Sequence, residues 1–86
     1  MRKQWDDDAW DEYVDWQAKD NKTLKRINEL LKDIDRNGHR GKENPKPLKH
    51  IPGYWSREID QKNRLVYKIE NGIMSIIQCG THYRDN

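Results

Sequence analysis

Apolar residues fall along this chain in two rhythms, a helical one in the first half and a strand-like one in the second. Over residues 6 to about 19, Trp10, Tyr13, Val14 and either Gln17 or Trp16 recur at helical spacing, with Asp11, Glu12 and Asp15 turned to water. Asp6 can cap that helix, and Asp7 and Asp8 suit its positive N-terminal end. Asp20-Asn21 then opens a second helix, whose stripe of Leu24, Ile27, Leu30, Leu31 and Ile34 runs to Arg36 before Asn37-Gly38 ends it. Residues 2–5 ahead of the helices read as a short strand. After them, residues 54–59, 64–69 and 73–79 read as three more, the last two joined by Asn71-Gly72. Asn-Gly between apolar runs signals a tight hairpin because both residues tolerate positive φ. The order is β-α-α-β-β-β, an α+β fold with two antiparallel helices packed on one face of a mostly antiparallel sheet.

Residues 39–52 interrupt the pattern with a polar loop containing Gly41, Pro45, Pro47 and Pro52. Loops of about a dozen irregular residues often serve function, so this one is a candidate site wall. The chain of 86 residues fits a single domain, residues 1–86. Charged residues make up 37% of it, a level that would suggest disorder if evenly spread. Trp5, Trp10, Tyr13, Trp16, Trp55 and Tyr67 counter that by offering large surfaces to a core.

Charge is uneven. The net +2 divides into −4 over residues 1–20 and +3 each over residues 21–43 and 44–86, so an anion is drawn to the second part of the chain. Cys79 is the only cysteine, which excludes an internal disulfide, suits a reducing cytoplasm and reads as a small core residue. No apolar run approaches the ~20 residues of a membrane span, and the expectation is a cytoplasmic protein with no membrane association. The acidic cluster of the first helix reads as a solvated face, with no metal and no cofactor expected.

In the basic part, Lys49, His50, Arg57, Arg64, His82 and Tyr83 lie near turns and strand ends that a compact sheet can bring together. Metal-free cleavage of an RNA phosphodiester needs a proton acceptor for the 2′-hydroxyl, cations around the phosphate and a proton donor for the leaving oxygen. These residue types can supply such a set.

Trp5, Trp10-Asp11 with Tyr13 and Trp16, and Lys25-Arg26-Ile27-Asn28-Glu29-Leu30 begin a longer series of motifs. It continues through Pro47-Leu48-Lys49-His50, Gly53, Trp55-Ser56-Arg57, Asn63-Arg64-Leu65-Val66-Tyr67 and His82-Tyr83. In that order and over nearly the whole chain, the series resembles the YoeB-type toxins of the RelE superfamily, bacterial ribosome-dependent messenger-RNA endonucleases. The resemblance implies a small RelE-like toxin fold and growth arrest by the unopposed protein. It also implies neutralisation by a YefM-type antitoxin, whose acidic C-terminal segment covers the basic site. The ribosome and messenger RNA would be partners, operator DNA only through the antitoxin complex, and a homodimer is an option.

The implied reaction is attack of the 2′-hydroxyl on its adjacent phosphate, leaving a cyclic phosphate and a 5′-hydroxyl. Arg64 matches the family's catalytic arginine, suited to the charge of the pentacoordinate transition state. His82 matches its C-terminal histidine, a proton donor to the leaving oxygen, and Tyr83 could stack on a base or hydrogen-bond the substrate. Lys49 and His50 would position messenger RNA. Arg57 reads either as a cation for phosphate or ribosomal RNA or as a solvent-facing strand residue.

Three positions reverse the family's charge: Lys46 stands where the family has its glutamate base, Glu58 where it tends to have a second arginine, and Lys62 where it has an acid. Lys46 serves as a base only if its pKa, about 10.4 unperturbed, falls by roughly three units; otherwise it is a cation. His50 and Glu43 are alternative bases. The reversals also motivate a rival expectation: an attenuated or inactive toxin that acts mainly as an antitoxin-binding protein and operon co-repressor.

Overall fold

The computed structural model describes residues 1–81. Its elements, in chain order, are β1 (Arg2–Trp5), α1 (Asp7–Lys19), α2 (Asn21–Asn37), β2 (Lys46–Pro47), β3 (Trp55–Glu58), β4 (Arg64–Glu70) and β5 (Ile73–Gly80). The strands form one sheet in the order β1-β5-β4-β3-β2, with β1 parallel to β5 and the other pairs antiparallel. The α+β expectation of two helices on a mostly antiparallel sheet is what the structure shows.

Local chemistry accounts for the boundaries. Asp20 caps α2, its carboxylate accepting from the backbone N–H groups of Lys22 and Thr23. Asp6 occupies the capping position of α1 with extended backbone but makes no capping bond. At the β4–β5 hairpin Asn71 and Gly72 have φ of 53° and 74°, the geometry expected of Asn-Gly. The β3–β4 turn is shaped by Asp60, whose Oδ1 accepts from the N–H groups of Lys62 and Asn63, while the N–H of Ile59 donates to the Asn63 carbonyl.

The core lies between the helices and one face of the sheet. Ile27, Leu30, Leu31 and Ile34 of α2 meet Leu65 and Tyr67 of β4 and Met74, Ile76 and Cys79 of β5. Burying a side chain such as Ile27 or Ile34 contributes roughly 1.5–3 kcal/mol. Cys79 follows Ile76 by three residues, so strict alternation would put the two on opposite faces. A register shift resolves this: consecutive Val66 and Tyr67 pair with Gln78 and Ile76, and the bulge returns Cys79 to the core face.

Helix α1 is turned differently from the expectation. Ala9 and Trp16 are its buried residues, whereas Trp10 and Val14 are 47% and 42% exposed. Polar contacts to β5 set this rotation: the Trp16 indole N–H donates to the Cys79 carbonyl, and the Cys79 N–H donates to Glu12. Trp5, Trp10 and Tyr13 instead form a partly exposed aromatic cluster. The loop expected over residues 39–52 also contains β2, a two-residue edge strand. Its Pro47 is tolerated because an edge leaves one side of the strand unpaired.

Candidate active site

Strand register decides which polar side chains meet. Ser56 and Glu58 alternate with Trp55 and Arg57 along β3, so the two pairs point to opposite faces. Lys46 of β2 is registered opposite Ser56, and Arg64 of β4 opposite Glu58. Registered neighbours share a face, and the four side chains, with Asn44, line one polar cleft of about 140 Å³.

Within the cleft, the Asn44 amide donates to Glu58 Oε2 at 2.9 Å, and Arg64 Nη2 approaches Glu58 Oε1 at 3.5 Å. Arg64 Nη1 donates to the carbonyls of Asp60 at 2.6 Å and Asn63 at 3.0 Å. The turn therefore holds the guanidinium in a fixed orientation at the mouth of the β3–β4 hairpin, where its side chain keeps 25% exposure. Arg64 is also registered with Gly80, the last residue of β5. The chain thus leaves the sheet beside Arg64, two residues before His82 in sequence. His82 and Tyr83 themselves lie outside the described residues.

The structure thus brings Lys46 and Arg64 together. Lys49 and His50 are exposed on the turn that follows β2 and are not among the residues lining the cleft. Glu43 is held by Arg26 at 3.0 Å and is likewise outside the cleft lining.

Arg57 requires a correction. Neither the cation for RNA nor the solvent-facing strand residue describes it, because the residue is completely buried on the core face. Its Nη1 donates to Asp33 at 2.6 Å and to the Lys42 carbonyl, its Nη2 to the Gly38 carbonyl, and its Nε to the Tyr67 hydroxyl. Asp33 also accepts from Asn37 and from the Lys42 N–H, and the Arg57 bond holds its carboxyl down to a pKa of about 2. This network fastens residues 38–42 to the core and so fixes the segment leading to Asn44 and Lys46. Beside it, burial and then the Arg57 charge lower the pKa of His39, which stacks on Trp55 at 4.2 Å.

Glu58 is the site residue that sequence reasoning passed over as a participant. The signal was present: residues 58 and 64 flank a short turn at distances that make them cross-strand partners. Among the described residues, no group of three His, Cys, Asp or Glu side chains is placed to hold a metal, and no helix is long and apolar enough to cross a membrane.

Comparison with known proteins gives a consistent result. Residues 5–83 match the model of the family described as the YoeB-like toxin of bacterial type II toxin-antitoxin systems. The chain is 43% identical over 84 residues to Toxin YoeB of Escherichia coli K12, covering 96% of this chain and all of that one. A YoeB/ParE toxin from Agrobacterium tumefaciens superposes with a TM-score of 0.92 at 36% identity, over 96% of this chain and 100% of that one. A Staphylococcus aureus YoeB, solved as a dimer and in a heterotetrameric YoeB-YefM complex, gives 0.90 at 40% identity over 96% of this chain and 98% of its own.

Proposed function

The chain belongs to the YoeB-like toxins of bacterial type II toxin-antitoxin systems, and from that premise we propose that it is a metal-independent endoribonuclease that cleaves messenger RNA in the ribosomal A site. The observation that carries this reading is the polar cleft where Arg64 and Lys46 share a face of the sheet with Glu58. Arg64, oriented by the turn carbonyls, grips phosphate oxygens and stabilises the added charge as the 2′-oxygen attacks phosphorus. Lys46 adds a second cation, while Lys49 and His50 on the adjoining turn hold the RNA backbone or ribosomal RNA. His82 protonates the departing 5′-oxygen and Tyr83 contacts a base, roles that rest on the sequence resemblance.

The partner is a YefM-type antitoxin, whose acidic segment would cover the same basic residues and carry the complex to operator DNA. That a related toxin forms a YoeB-YefM complex and a dimer supports both assemblies for this chain.

Purified protein should cut messenger RNA on programmed ribosomes, and Arg64→Ala should reduce the rate about 10²-fold or more, as loss of a transition-state donor does elsewhere. No cleavage by the unaltered protein at high concentration would sink the proposal. One observation favours a second reading, an attenuated toxin acting mainly through antitoxin binding and operon co-repression: Arg64 is already bonded to turn carbonyls and approached by Glu58. Expression without antitoxin separates the two, because an active nuclease arrests growth and a binding protein does not.

A further inference from the structure

We propose that Glu58 is the general base of the cleavage reaction, an assignment that rests on the nuclease reading above and deepens it. Among the described residues that line the cleft, Asn44, Lys46, Ser56, Glu58 and Arg64, Glu58 is the only carboxylate. Neutral Asn44 and Ser56 are poor proton acceptors, and Lys46, exposed to water, carries a side chain whose ordinary role is that of a donor. The other bases that the sequence suggests are elsewhere: His50 lies outside the cleft lining, and Glu43 is engaged by Arg26.

Glu58 also has the placement the step requires. It is registered directly opposite Arg64 on the same sheet face, so a phosphate held by the guanidinium presents its neighbouring ribose to the carboxylate. Asn44 donates to Oε2 and orients the group, while Oε1 faces Arg64 at 3.5 Å with the side chain 34% exposed. One oxygen is anchored by Asn44, and the other faces the guanidinium that would hold the phosphate.

In the step, Glu58 takes the 2′-hydroxyl proton as the 2′-oxygen bonds to phosphorus. The bond from phosphorus to the 5′-oxygen breaks, and that oxygen leaves with a proton from the general acid, which regains one from water. The products are a cyclic phosphate and a 5′-hydroxyl, and the protonated Glu58 returns its proton to water. Charge is conserved, and no oxidant, metal or further reactant enters.

The test is single-turnover cleavage of messenger RNA on programmed ribosomes with the protein saturating. Glu58→Gln keeps an oxygen that can accept from Asn44, so the rate should fall about 10²- to 10⁴-fold while ribosome affinity and the unfolding midpoint stay unchanged. Lys46→Glu added to Glu58→Gln restores a carboxylate to the same cleft and should recover at least ~10-fold of the lost rate. Cleavage by Glu58→Gln at the unaltered rate overturns the role of Glu58 and leaves the nuclease reading intact. A rate loss matched by lost ribosome binding or a lowered midpoint also overturns it, because that marks a structural role. No cleavage by the unaltered protein overturns both.

Discussion

Arg57 and Arg64 lie seven positions apart on neighbouring strands, yet their surroundings give the same guanidinium opposite uses. Arg64 sits at the open end of a hairpin with its Nη2 toward Glu58 in the cleft; Arg57 is enclosed, its donors spent on Asp33, three carbonyl groups and Tyr67. Removing one member of a buried ion pair leaves the other charge uncompensated, so Arg57→Ala should lower unfolding free energy by about 3–5 kcal/mol in a denaturant titration. Arg64→Ala should leave it nearly unchanged and act on cleavage. The Asp33 carboxyl, held at about 2 against its ordinary 3.8, contributes stability that is fully present above pH 3.8 and is lost as pH falls toward 2. Thermal unfolding followed across that range should show the decline, and Asp33→Asn, less stable throughout, should show a flatter one. Gly41 belongs to the same cluster: at φ 141° a Cβ there would collide with the Asp33 carboxylate, so the residue must be glycine for the loop to close on the pair.

At the scale of elements, the two helix starts look alike in sequence and differ in structure. Asp20 makes capping bonds to Lys22 and Thr23, whereas Asp6 makes none. Asp20→Ala should therefore lower the unfolding midpoint measurably and Asp6→Ala should barely move it, as paired thermal melts would show. The stripe of α2 was legible because five aliphatic residues at helical spacing leave one way to bury them. That of α1 was not, because Trp10, Tyr13, Val14 and Trp16 spread over an arc of about 160°, and burial centres on its Trp16 edge, where hydrogen bonds tie the helix to β5. Strand β2 escaped sequence reading for a similar reason: two residues, one of them proline, carry no periodicity, and only pairing with β3 makes them a strand.

For the whole molecule, strand order separates charge. The acidic first segment forms α1 and packs against β5 toward the β1 side of the sheet, while the cleft lies at the β2-β3-β4 side. The polyanion of the proposed reaction would therefore meet Lys46, Lys49 and Arg64 rather than the acids of α1. Ribosome association should weaken steeply with added salt as phosphate counterions are released, and Lys49→Ala should reduce the slope of log affinity against log salt by about one. Sedimentation with ribosomes over a salt series measures both.

The sequence by itself determined the element order, the hairpin at Asn71-Gly72, the α2 stripe and the family, because these depend on local backbone preference and on motifs contiguous in the chain. It also placed Arg64 and Lys46 among the candidates. Only the tertiary structure decided that Arg57 points inward, that Trp10 points outward, and that Glu58 shares a cleft with Lys46 and Arg64. Each of those depends on strand register and on which face of a sheet or helix meets the core, relations between segments distant in the chain that no local spacing encodes.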